Sequence, residues 1–243
     1  MLGFSSFLFL ACEKKSSSDL QNSFHSYAQQ QKNVVAYGYM DLDQLIEKTD
    51  IVNMHMFGSM VEEQLKSIKT AIQLEDKIYM LAETKDINKE EPILLTVMSV
   101  NNADSLKSLL SLGGYYFEEE NGIQISEDMN TALGYNDKYV AIAYGQSKGV
   151  KEKVLNFFNH AENNKEKVSI EFEENEDLMF VSDFNTFNRS LQAQNELSKY
   201  MDKNYLKKLS HGAKVKFGIS FLNGEMTMNY DYMLNEAMKK DLN

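Results

Sequence analysis

The stretch Val34-Val35-Ala36-Tyr37-Gly38-Tyr39-Met40 is a run of β-branched, aromatic and other apolar residues with almost no polar alternation. Such a run predicts a strand that is buried on both faces of a sheet. Apolar residues recur with helical spacing over 42–46, so we expect a helix after the strand, capped by Asp41 or Asp43. Residues 178–184 repeat this order, because another apolar strand ends on an aspartate and runs into a predicted helix.

Hairpins are predicted around this strand–helix unit. Segments 77–82 and 92–100 are apolar strands joined by a charged turn, and Asn121-Gly122 and Asn223-Gly224 are strong signals for two-residue turns. Strands that feed helices directly, combined with hairpins, predict an α+β fold. We expect mixed or antiparallel sheets with helices packed on one face, and the repeated strand–helix order is compatible with two related modules.

The last predicted hairpin, over 214–233, has a clear alternation. Val215, Phe217, Ile219 and Phe221 occupy every second position, which predicts one buried face and one face in water. We expect Phe217 and Ile219 to lie in a core with a long helix predicted over 187–209. Lys216 is expected to face water on the opposite side.

The N-terminal segment changes character at the single cysteine of the chain. Residues 8–18 read Leu-Phe-Leu-Ala-Cys-Glu-Lys-Lys-Ser-Ser-Ser, so apolar residues precede Cys12 and polar ones follow it. The apolar run is shorter than the ~20 residues that span a bilayer and has the length of a signal-peptide core. The segment resembles a bacterial lipobox, which implies cleavage between Ala11 and Cys12 and a lipid on the Cys12 thiol. No Lys or Arg follows Met1, so we expect the true start to lie upstream.

These features predict the domain organisation. Residues 1–11 are predicted to form the lipoprotein signal peptide and the polar residues 12–33 a flexible tether, in which Leu20, Phe24 and Tyr27 could place a short helical turn. Residues 34–163 form an α+β module that ends before a wholly polar stretch. Residues 164–243 form a second, smaller β-α-β-hairpin module. The chain stops inside a predicted helical tail that lacks a capping residue, which favours a truncated C-terminus.

Composition excludes one class of partner and indicates another. The 243 residues carry a formal charge of −11 and contain a single arginine, Arg189. Nucleic-acid binding requires basic patches, so it is excluded. An acidic body gains nothing from an anionic membrane surface. Contact with the membrane must therefore come from lipid on Cys12.

Candidate sites other than Cys12 are better explained by packing or solvation. His25, His55, His160 and His211 have no metal-binding spacing, and the many methionines favour packing over copper binding for Met54-His55-Met56. The acidic runs 118–120 and 171–177 lack the glycine of a calcium loop and are expected to be solvated turns. Tyrosines on predicted strands can bind glycans or peptides, but they also suit half-buried sheets. We therefore assign no catalytic residue, metal or cofactor.

Three segments carry a resemblance to a known family. They are 34–50 (VVAYGYMDLDQLIEKTD), 131–145 (TALGYNDKYVAIAYG) and 221–240 (FLNGEMTMNYDYMLNEAMKK). Together they resemble a family of Bacteroidota-type lipoproteins with a domain of unknown function, whose members are about twice as long. The resemblance implies an envelope protein that is lipid-anchored to a membrane, the outer membrane facing the periplasm or the cell surface.

Two functions remain open at this point. The first is a non-enzymatic binding or structural role toward a protein or glycan partner, which the absence of any catalytic motif in the sequence favours. The alternative is an envelope hydrolase that acts on glycan or peptide with acids gathered from distant strands. A deep pocket with two carboxylates of raised pKa would favour the hydrolase.

Overall fold

A computed structural model describes residues 17–49, 58–84, 92–146, 149–163, 175–183, 212–222, 225–234 and 239–240. The elements in chain order are α1 (Ser17–Gln30), β1 (Val34–Met40), α2 (Leu42–Thr49), α3 (Gly58–Ala71), β2 (Ile78–Glu83), β3 (Ile93–Ser99), α4 (Ala103–Leu112), β4 (Glu118–Glu120), β5 (Ile123–Glu127), β6 (Thr131–Tyr135), β7 (Tyr139–Tyr144), α5 (Val150–Asn163), β8 (Leu178–Asp183), β9 (Lys214–Leu222) and β10 (Glu225–Met233).

The described strands form one antiparallel sheet, which confirms the predicted α+β class. Its order is β10-β9-β8-β1-β2-β3-β7-β6-β5-β4. The apolar strand β1 lies inside the sheet, paired with β2 on one side and β8 on the other. The predicted hairpins β2–β3, β4–β5 and β9–β10 are all paired. At the β4–β5 turn, Asn121 and Gly122 both have positive φ, as a tight turn with the twist of the strands requires.

One face of the sheet is covered by α1 and α5. Phe24 and Tyr27 of α1 and Phe157 of α5 are fully buried against aromatic and aliphatic side chains of the central strands. Gly134 leaves room for this packing, because a Cβ there would lie 2.6 Å from Val154 Cγ1 of α5. The larger core therefore lies between these two helices and the middle of the sheet.

The other face carries a second core, formed by α3 and α4. Leu106 of α4 packs with Leu133 and Tyr135 of β6, which alternate with the α5-facing residues of the same strand. Helices thus lie on both faces, whereas the sequence predicted one. The reason is that β6 is apolar at successive positions, so each of its faces needs a cover.

The prediction of a flexible tether over 12–33 is wrong for residues 17–30. These residues form α1, and Leu20, Phe24, Tyr27 and Ala28 are buried. Their spacing places them on one face of a helix. The surrounding serines and glutamines are polar enough to suggest a linker, but they occupy the outer face.

Strand β8 joins the two predicted modules into one sheet. Its residues pair with β1 on one side and with β9 on the other. Gly38 is required at the first of these contacts, because a Cβ there would overlap the Met179 carbonyl oxygen. The segment 164–243 therefore supplies strands to the same sheet as 34–163.

The last hairpin is less buried than its alternation predicted. Val215 is buried, but Phe217 and Ile219 are only half-buried, and the predicted helix over 187–209 lies outside the described residues. Lys216 does not face water freely. Its Nζ lies 2.8 Å from Glu176 Oε1, and both side chains are mostly buried.

Candidate functional site

The described surface has a cleft where α4 ends. The Asn102 side chain caps the start of α4 by accepting a hydrogen bond from the Ser105 N–H at 2.8 Å. Gly113 caps its end, and Gly114 follows with φ of +81°. This left-handed residue turns the chain away from the helix axis. Tyr115 and Tyr116 emerge from the turn, and Tyr116 is 89% exposed.

The opposite wall of the cleft is the turn between β5 and β6. Asp128 Oδ1 accepts hydrogen bonds from the backbone N–H groups of Asn130 (3.0 Å) and Thr131 (2.9 Å). The Asp128 N–H in turn donates to the Thr131 carbonyl at 2.9 Å. One carboxylate oxygen of Asp128 is thus used to hold the turn. Glu127 lies beside it and is exposed.

The cleft combines aromatic and acidic walls over an apolar floor. Its volume is about 450 Å³, and it is lined by Gly113, Gly114, Tyr115, Tyr116, Ser126, Glu127, Asp128, Thr131 and Leu133. Leu133 belongs to the second core, so the floor is held by packing beneath it. No basic residue is among these lining side chains. The cleft therefore suits a ligand that is positively charged or a polar ligand that stacks on aromatic rings.

A second group of chemically capable side chains is buried between α1, α5 and β2. Lys153 forms an ion pair with Glu83 and lies 5.4 Å from the centre of the Tyr27 ring. Burial raises the pKa of Tyr27 well above its usual range, and the charge of Glu83 adds to the rise. The Tyr27 hydroxyl and Glu83 Oε1 have no hydrogen-bond partner within the described ranges. This cluster pins two helices to the sheet, which is a structural role.

The two described histidines also lie at the contact of α1 with its neighbours. The His25 ring is almost fully buried and packs edge-on against Tyr37 and Tyr79. His160 Nε2 lies 3.0 Å from Ser26 Oγ. Burial lowers the pKa of His160. His55 and His211, and the Met54-His55-Met56 segment, lie outside the described residues.

Of the tyrosines that the sequence predicted on strands, some are buried and others are exposed. Tyr37, Tyr39 and Tyr79 are buried in the larger core, where they pack as sheet residues. The exposed tyrosines are Tyr115, Tyr116, Tyr144, Tyr230 and Tyr232. Cys12 and Ala11, the predicted lipidation and cleavage residues, lie outside the described residues.

The acidic run over 171–177 contains a residue whose role sequence reasoning missed. Asp177 is 2% exposed, although it was expected in a solvated turn. Its Oδ1 accepts from Lys48 Nζ at 2.6 Å, and its Oδ2 accepts from the Phe221 N–H at 2.7 Å. No local signal marks this position, because its partners are distant along the chain.

The described elements define a class, an α+β protein built on a ten-stranded antiparallel sheet. No family model matches the chain, and no curated protein sequence matches it. Among solved structures, crystal form III of TP0453 is similar to it, with a TM-score of 0.52, 10% identity, and coverage of 87% of this chain and 82% of TP0453. Crystal forms IV and I have TM-scores of 0.50 at 11% and 12% identity, covering 83% and 84% of this chain and 77% of TP0453 in each case. These similarities show a shared fold.

No helix within the described ranges is both long and apolar enough to cross a membrane.

Proposed function

We propose that this chain is a lipid-anchored protein of the bacterial cell envelope, held to the membrane through Cys12, with a non-enzymatic binding role. The anchor is supported by the sequence around Ala11-Cys12. The binding role is supported by the cleft between the α4 end and the β5–β6 turn. We assign to this cleft a short, basic segment of a partner protein.

The pairing of tyrosines with carboxylates is the observation that carries this assignment. Tyr115 and Tyr116 are exposed, and they line the same cleft as Glu127. Lysine and arginine side chains bind both groups, through cation–π contact with the rings and through charge-assisted hydrogen bonds with the carboxylate. The formal charge of −11 attracts a basic partner over longer distances.

The arrangement of Asp128 favours binding over catalysis. Its Oδ1 already accepts two backbone hydrogen bonds that shape the turn. A carboxylate oxygen used in this way is occupied by backbone donors, so it shapes the turn instead of contacting a substrate. The turn therefore supports a rigid wall for a ligand.

Binding is tested with short synthetic peptides rich in lysine and arginine, with N-acetylglucosamine oligomers as the glycan comparison. Tyr116→Ala should weaken peptide binding by roughly 2- to 30-fold, the equivalent of about 0.5–2 kcal/mol for a lost cation–π contact. Titration calorimetry measures the affinity. Met129→Ala is the matched control, because Met129 is 93% exposed at the tip of the same turn and does not line the cleft.

Two results would contradict the assignment of the cleft. One is equal peptide affinity in the Tyr116→Ala variant and the wild type. The other is binding of the sugar oligomers in preference to the peptides, which would assign the cleft to glycan.

The anchor is tested separately by Cys12→Ser. The wild type should require detergent for extraction, because several acyl chains hold a protein where one is marginal. The variant should leave the membrane fraction on a salt wash. A variant that still sediments with membranes after the wash would show that the predicted lipid anchor on Cys12 is wrong, whatever the cleft binds.

A further inference from the structure

The strand β10 ends the sheet and is exposed along most of its length. It is nine residues long, and its residues from Glu225 to Tyr232 are all exposed. Within the described residues it pairs with β9 on one side only. Met226, Met228 and Tyr230 are more than half exposed, at 54%, 52% and 58%. A long apolar edge of this kind is a template for pairing with another strand.

The register of the hairpin shows which backbone groups face outward. Leu222 pairs with Glu225, so two residues separate the strands. In such a hairpin the pair beside the turn is hydrogen-bonded, and hydrogen-bonded pairs alternate from there. The N–H and C=O groups of Met226, Met228 and Tyr230 therefore point away from β9. Met226, Met228 and Tyr230 are thus both exposed apolar residues and residues that offer outward backbone groups.

The opposite edge of the sheet differs in its length and in its charge. β4 has three residues, Glu118, Glu119 and Glu120, and all carry negative charge. A short, charged edge resists pairing. β10 contains only two acidic residues, Glu225 and Asp231, and Asp231 lies opposite Lys216 of β9. Among the described strands, one edge is thus short and charged, and the other is long and apolar.

We infer that β10 pairs with β10 of a second copy of this chain, antiparallel and centred on Asn229. This register uses all nine residues of β10, because Glu225 and Met233 are equally far from Asn229. It places Met226 opposite Tyr232 and Met228 opposite Tyr230 of the second copy. Aromatic side chains contact methionine favourably in such pairs.

Charge favours this register over the neighbouring one that is centred on Met228. Centring the pair on Asn229 places Asp231 opposite Thr227 of the second copy, so no two acids face each other. Centring it on Met228 would place Asp231 opposite Glu225 twice, and like charges directly opposite are destabilising. The two-fold symmetric pair joins the two sheets into one and doubles the apolar face that carries Phe217.

Disulfide trapping tests the register in the full chain carrying Cys12→Ser, so that an introduced cysteine is the only one. Asn229→Cys should give a covalent dimer under mild oxidation. Its copies would face each other as a non-hydrogen-bonded pair about 4.5 Å apart at Cα, inside the range of about 4.4–6.8 Å for disulfides.

Thr227→Cys is the matched control, since it is exposed and lies on the same face of the same strand. Its copies would lie four residues apart along the paired strands, about 13 Å, and should not cross-link. Met228→Pro removes one outward N–H and leaves the bonds to β9 in place. It should give a monomer by light scattering while the circular-dichroism spectrum is unchanged.

Three results would overturn the inference. A Cys12→Ser chain that is monomeric at all concentrations is the first. The second is cross-linking of Thr227→Cys as readily as Asn229→Cys, because it would show that the copies touch without pairing in the register centred on Asn229. The third is cross-linking of Asn229→Cys to a different envelope protein, which would assign the edge to that partner.

Discussion

The middle of the sheet and its β9–β10 end are both rich in apolar residues, but their surroundings differ. Strands β1, β2 and β3 carry apolar residues that α1 and α5 cover, and Tyr39, Leu81 and Val97 are at most 1% exposed. β10, by contrast, alternates apolar and polar residues, and the apolar side chains from Met226 to Tyr232 are exposed. Alternation therefore shows which residues share a face, while burial depends on whether another element packs there.

The largest expected difference between the two regions is the cost of removing a phenylalanine. Phe157 is 0% exposed and touches both Tyr27 and Tyr139 in the larger core. Phe157→Ala should lower the free energy of unfolding by about 3–5 kcal/mol. Phe217 is half-buried and packs on the exposed Tyr230 with ring centres 5.0 Å apart, so Phe217→Ala should cost about 1–2 kcal/mol.

Urea denaturation of both variants measures this difference, with equal slopes as the sign of unchanged cooperativity. Equal costs for the two substitutions would show that the hairpin face is covered as completely as the core. That result would remove the distinction between the two regions.

The second prediction concerns the polar contact that ties the hairpin to the centre. Asp177 joins Lys48 of α2 to the Phe221 N–H of β9. Asp177→Ala leaves both donors without this acceptor, and the loss should be about 2 kcal/mol. Asp177→Asn keeps an oxygen for the Phe221 N–H and should cost less. Urea midpoints of the two variants provide the measurement.

The position of this loss can be followed by amide hydrogen exchange. Protection should fall in β9 and β10 of the Asp177→Ala variant and remain in β1 to β3, because the lost hydrogen bonds of Asp177 lie between these two regions. A uniform loss over the whole sheet would mean that the hairpin and the centre open together.

Local chemistry explains what the sequence could predict. Gly113-Gly114 stops α4, and Asn121-Gly122 closes a hairpin, because each position requires a backbone geometry that its own residues favour. The helix α1 was missed because its apolar spacing is set among polar residues, and only packing against α5 makes it stable.

The candidate cleft and the role of Asp177 both depend on how the chain folds back on itself. Tyr116 and the Asp128 turn line the same cleft because the β4–β5 hairpin between them folds back on itself. Asp177 reaches Lys48 across 129 positions of sequence. Neither contact is marked by a sequence motif or by periodicity, so neither one could be predicted from the sequence.

The smallest predicted effect is a dependence of stability on pH that belongs to the covered region alone. His160 of α5 packs against α1, with its ring 5.5 Å from that of Tyr27 and Nε2 beside Ser26 Oγ. Burial lowers the pKa of His160 below its ordinary value of 6.5. In acid the unfolded chain therefore binds a proton at this position more readily than the folded chain does. Its contribution to stability is present above about pH 6.5 and is lost as the pH falls through the lowered pKa.

A comparison of the wild type with His160→Gln isolates this contribution. The wild type should lose more stability than the variant between about pH 7.5 and pH 5.5, because carboxylates titrate alike in both and cancel in the difference. Urea midpoints at the two pH values give the slopes, and hydrogen exchange shows where protection is lost. The loss should lie in α1 and α5 and spare β10, since protonated His160 disfavours only the contact between those helices. Identical slopes in the two proteins would mean that the His160 ring already has enough water to carry its charge in the folded state, and that this helix contact is as open to solvent as the hairpin end.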